Sequence, residues 1–163
     1  MDLKSDMSIK RILECFRMAG VFIGFWLAYS DLSNPTQAFH YLAVFVVVSI
    51  AGVTAVESLM FSKQGAEASG YSDPGPYQRQ SGLNNAAVAI VSVVVFALNW
   101  GTRAETTTCL VLLVFLILSS FNHAYSGLRN GNGSWRCFTR PLGTLILLIA
   151  VIPFMIRALA ATP

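Results

Sequence analysis

The sequence predicts an all-α integral membrane protein, a helical bundle of five transmembrane helices forming one membrane domain over residues 1–163. Three observations lead there. Charged residues make up 12% of the chain, about half of the roughly 25% usual in a soluble domain. Five stretches, 12–29, 39–61, 84–100, 106–125 and 142–161, come close to the roughly 20 mostly apolar residues that cross about 30 Å of hydrocarbon. Of all the charged residues, only Glu14, Arg17, Glu57 and Arg157 fall inside those stretches. Period-two alternation is absent, which argues against membrane strands. A net charge of +3 is too small and scattered for nucleic-acid binding.

The first stretch is the weakest, since its unbroken apolar run covers only residues 18–29. A signal peptide would read similarly, with a basic start and small residues at Ala28-Tyr29-Ser30, and its cleavage would leave four spans. The long leading segment with Asp2, Asp6 and Glu14 favours a retained helix, in which Arg17 reaches the interface and pairs with Glu14 one turn earlier. The second stretch is strongly apolar and holds Glu57 near its end. The third carries a stripe of Asn85, Ala89, Ser92 and Asn99 opposite Val88, Val91 and Val95, of the kind that packs against other helices. In the fourth, Ser119, Ser120 and His123 share a face. In the fifth, Pro141 suits the first turn and Pro153 should kink the span.

Nine of the eleven lysines and arginines lie on one side of this arrangement; Arg103 and Arg157 lie on the other. The positive-inside rule then puts the N-terminus and the two longer loops in the cytoplasm and the C-terminus outside. Compact loops fit a bacterial inner (plasma) membrane. Trp26, Tyr29, Tyr41 and Trp100 mark the outer interface, and Tyr125 and Trp135 the inner one.

The loop 62–83 is rich in Gly, Ser and Pro and contains the turn signal Asp73-Pro74-Gly75-Pro76. The loop 127–140 contains Asn130-Gly131-Asn132-Gly133 but lacks the Lys-Ser/Thr of a phosphate loop. Cys15, Cys109 and Cys137 are split across the membrane and show no metal-ligand spacing, so they read as small apolar residues.

The intramembrane polar groups carry what chemistry is left. Glu57 lies about 6 Å from the end of its helix, where an exposed charge would be costly, so it should face protein or water. Thr54 is one turn away on the same face. Glu57 ends the second helix, Asn84 and Asn85 begin the third, and His123 and Tyr125 end the fourth, with Arg79 and Gln80 entering at the same level. Topology therefore allows an inner-leaflet Glu–Asn–His cluster. The plainer readings are interhelical hydrogen bonding for Asn85 and the serines, and an interfacial position for His123. Glu57 and His123 supply two metal ligands where a catalytic site needs three, and His40 lies at the opposite face. No metal or other cofactor is expected.

Glu57, the run Tyr77-Gln78-Arg79-Gln80-Ser81-Gly82-Leu83-Asn84-Asn85, His123-Ala124-Tyr125, Gly131-Asn132-Gly133 and Pro141-Leu142 together resemble a family of small uncharacterised prokaryotic membrane proteins, a domain of unknown function. That family is distantly similar to DoxX-type four-helix membrane proteins. Its pattern before the third helix reads aromatic-Gln-Arg-Glu-x-Gly-x-Ala-Asn. Gln78, Arg79, Gly82 and Asn85 match, while Gln80 replaces the Glu and Asn84 the Ala. The resemblance covers about residues 55–145. It implies the fold and the polar cluster but no reaction, and the loss of the acid at Gln80 removes a second carboxylate.

Three functional classes follow. The first is a membrane protein that binds a proton, lipid, quinone or small solute at the inner-leaflet cluster of Glu57, Asn85, His123, Arg79, Gln80 and Tyr125. The second is a structural or accessory subunit of a larger membrane complex. The third, an intramembrane enzyme on a lipid-like substrate, ranks last, because no nucleophile–base pattern is present. Expected partners are the bilayer and either a second copy or other membrane subunits.

Overall fold

The computed structural model describes residues 3–61, 76–129 and 136–162. Among them every long element is helical and no strand occurs. The elements are α1 (Leu3–Ser30), α2 (Pro35–Val47), a π-helical turn (Val48–Gly52), α3 (Val53–Met60), α4 (Pro76–Ala97), α5 (Thr102–Arg129) and α6 (Arg136–Ala160). The π turn joins α2 and α3 into one continuous helix. Five segments are therefore long and apolar enough to cross a membrane: Arg11–Ser30, Pro35–Met60, Gln78–Ala97, Thr102–Asn122 and Pro141–Ala160.

Local chemistry sets the starts. The Asn34 side chain caps α2 by accepting from the Gln37 backbone N–H at 3.3 Å, and Pro35 occupies the first turn, where a missing N–H costs nothing. α2 therefore begins a full turn before the apolar run that marks it in the sequence. The turn between α4 and α5 is tight, with positive φ at Asn99 (51°) and Gly101 (89°). Gly101 O accepts from the Ala104 and Glu105 amides, which starts α5 at Thr102 rather than at residue 106. α6 likewise begins at Arg136, so Pro141 lies inside the helix and not in its first turn. The helix is continuous through Pro153, which is exposed. The Asp73-Pro74-Gly75 and Asn130–Gly133 turns lie outside the described residues; Pro76 opens α4.

The α2–π–α3 helix is the centre of the bundle and packs against each of the other four long helices. Phe39, Leu42, Val46 and Val47 of α2 meet Cys109, Leu112 and Leu113 of α5 and Val151, Phe154 and Met155 of α6 in the core. Phe25 of α1 packs against this core, but other large side chains of α1 point away from it: Phe22 is 71% exposed and Phe16 66%. A water-soluble monomer would not carry such a surface, and a bilayer solvates it.

α1 docks through small residues. A Cβ on Gly20 would stand 1.9 Å from Ser49 Oγ, and one on Gly24 would stand 2.7 Å from Phe45 Cβ, so the two helices touch backbone to side chain. Gly20, Gly24 and Ala28, four residues apart, form a small-xxx-small seam. In lipid, where apolar burial drives no association, close packing of this kind holds helices together. Gly82 does the same for α4, since a Cβ there would meet Ser58 and Leu59 of α3 at 3.0 Å.

The polar stripe of α4 differs in one respect from its sequence pattern. Asn85, Ala89 and Ser92 are buried, but the stripe continues to Val95, which is 3% exposed, and Asn99 lies outside in the turn. Between α5 and α6, Ser120 and Thr144 hydroxyls bond at 2.8 Å. Ser120→Ala should lower stability by only about 0.6 kcal/mol, the usual size of such bonds in membranes; reversible unfolding in mixed micelles would measure it.

Candidate functional site

At one end of the bundle, Arg17 of α1 reaches Glu57 of α3. Its position follows from the docking seam: Arg17 is three residues before Gly20, on the same face of α1. Arg17 Nη2 donates to Glu57 Oε2 at 3.0 Å, and Nη1 donates to Glu14 Oε2. The Arg17 side chain is 22% exposed and that of Glu57 33%. Arg17 Nε is buried with no hydrogen-bond partner among the described residues. The arrangement is an ionic triad with one more negative than positive charge, half withdrawn from water.

The other residues expected around Glu57 are placed differently. Asn85 is 2% exposed, and its Nδ2 donates to Ser81 O within its own helix at 2.9 Å. Asn85 thus satisfies its amide within its own helix, which is neither the interhelical bond nor the contact with Glu57 that the sequence suggests. Arg79 and Gln80 are exposed on the first turns of α4, and Tyr125 is 62% exposed on α5. No hydrogen bond joins any of these to Glu57 among the described residues. His123 lies in α5, with its side chain outside the description. The structure thus pairs Glu57 with Arg17, and the first helix supplies the partner. Among the described residues, no group of three or more His, Cys, Asp or Glu side chains could hold a metal ion.

At the opposite end lies an ionisable pair that the span boundaries conceal in the sequence. His40 Nδ1 contacts Glu105 Oε1 across α2 and α5. Glu105 is 5% exposed and the His40 side chain 16%. Phe96 of α4 stacks on the imidazole with centroids 4.3 Å apart and planes 20° from parallel. Because α5 starts at Thr102, Glu105 falls in its first turn, where the N-terminal dipole favours a carboxylate, and on the buried side. A signal was available: His40 and Glu105 are the acid and base one turn inside two helices that begin at the same membrane face. Arg157 of α6 also reaches this end and donates to Leu32 O at 3.3 Å.

Five long apolar helices, lipid-suited outer faces and ionisable pairs at both ends define a small multi-pass membrane protein. The chain belongs to a family of unknown function, DUF6790, whose match runs over residues 12–162 and so includes all five helices. No curated protein and no solved structure matches the chain.

Proposed function

We propose that this protein binds a proton or small solute at its Glu57 end, with Arg17 and Glu57 as the binding pair. The Arg17–Glu57 bond between α1 and α3 carries the reading, because ionisable side chains within membrane-spanning segments are rare and mark functional sites. The two carboxylates bonded to Arg17, those of Glu14 and Glu57, are the groups that a proton or a cationic solute would meet. Asn85, Arg79, Gln80, Tyr125 and His123 belong to the same end and form the wider surroundings. In the orientation that the lysines and arginines favour, this end faces the cytoplasm of a bacterial inner membrane, with the C-terminus outside. The docking of α1 through Gly20 and Gly24 supports a first helix that stays in the mature protein.

Glu57→Gln tests the binding reading. It should abolish solute binding or the pH response of the protein while leaving thermal stability nearly unchanged, since a half-exposed pair contributes little. A large fall in stability with binding intact would overturn the assignment. Native mass spectrometry of protein released gently from its own membrane tests the class. A lone chain or homo-oligomer carrying a bound small molecule fits the proposal. Other chains in fixed stoichiometry would make it an accessory subunit instead.

A further inference from the structure

We infer that His40 and Glu105 form a second site, a proton-binding pair that exchanges with water at the end of the bundle opposite Glu57. The inference stands on its own geometry and does not need the Glu57 reading. A carboxylate as buried as Glu105 needs a compensating charge. The side chain in contact with it is His40, and imidazole is the group that gains and loses a charge in the physiological range. With Nδ1 held by Glu105, the exchangeable position is Nε2. Taking up a proton from water forms one N–H bond there and makes the pair neutral overall; releasing it to water breaks that bond and leaves the buried carboxylate uncompensated. The Nδ1 contact survives in both states, so one proton sets the charge of the site.

Exposure supports the direction of exchange, since His40 keeps 16% of its side chain accessible and Glu105 only 5%. Phe96 fixes the ring plane by stacking. A further polar group stands one residue along the buried stripe of α5. Thr106 is 6% exposed and its Oγ1 has no hydrogen-bond partner among the described residues, whereas the following Thr107 and Thr108 hydroxyls donate to the carbonyls of Arg103 and Ala104 at 2.9 Å. That hydroxyl keeps its hydrogen-bonding capacity next to the carboxylate-bearing residue. The other titratable or charged side chains at this end are Tyr29 of α1, Asp31 of the following turn, Tyr41 of α2, Arg103 and the buried Cys109 of α5, and Arg157 of α6. Of these Tyr41 lies nearest the imidazole in the ring contacts, with centroids 5.7 Å apart.

The test is nitrogen NMR of the full chain, labelled at its two histidines and held in lipid nanodiscs, over about pH 5 to 9. The signal lost in H40Q is that of His40. The neutral ring should carry its proton on Nδ1, held toward Glu105, and proton uptake should appear at Nε2. In E105Q that preference should be lost, and the neutral ring should divide between its two tautomers. A ring with no proton uptake at Nε2, or a tautomer that E105Q leaves in place, would overturn the proposal. Should E105Q fail to fold, carbon-labelled glutamate in the unmutated protein decides: one carboxyl resonance must move in step with His40, and a set that does not would overturn it equally.

Discussion

Gly20→Val should destabilise the bundle by about 3 kcal/mol, the upper end of what overpacking costs. The glycine has no room for a side chain. Ser49 Oγ lies 1.9 Å and Ser49 Cβ 2.9 Å from where its Cβ would be. Rotating the serine hydroxyl relieves the first clash but not the second, so α1 must move away from the π turn. That movement also draws Arg17 off Glu57, because both contacts lie on one face of α1. Thermal unfolding in detergent would measure the loss. Gly143→Ala is the control: α6 has nothing within 4 Å of the new Cβ, and replacing a helical glycine there should raise stability by up to about 1 kcal/mol. Ser49→Gly should recover part of the loss caused by Gly20→Ala. If Gly20→Val unfolds like the unmutated protein, the seam does not hold α1.

His40→Leu should cost about 3–5 kcal/mol, the penalty for leaving a buried charge without its partner. Glu105→Leu removes the charge itself and should cost less. The double variant, with leucine at both positions, should return to within about 1 kcal/mol of the unmutated protein, since apolar residues can replace a buried pair at little loss. Measured at neutral pH by reversible unfolding, the three variants form a cycle. Losses that simply add would mean that His40 and Glu105 do not act on each other in the membrane.

The Glu57 end shows how much of such a site a sequence reveals. Glu57 was recognisable because a lone acid within an apolar helix is conspicuous, and its helix and depth followed from counting. Its partner was not. Arg17 had a local partner in Glu14 at helical spacing, which accounts for it fully within one helix, and only the docking of α1 adds the bond to Glu57. Asn85 illustrates the reverse error. Its place on a buried stripe was legible, but its amide turns back to Ser81 O of its own helix, a choice of rotamer that periodicity does not express. Glu105 is hidden in the sequence because the apolar run that marks its helix starts at residue 106. The Gly101 carbonyl starts it at Thr102 and brings the acid inside.

The five apolar stretches and their order were legible in the sequence alone, because insertion into lipid depends on the summed hydropathy of each segment, a property local to the chain. The Gly20–Gly24–Ala28 seam was also present in the sequence as a small-xxx-small spacing, although spacing does not name the helix it meets. The π turn at Val48–Gly52, the choice of Ser49 and Phe45 as the surfaces under α1, and both ionisable pairs were decided only in the folded bundle. Each depends on the rotation of one helix about its axis relative to another, and that angle comes from side chains meeting across an interface rather than from any residue taken with its own neighbours.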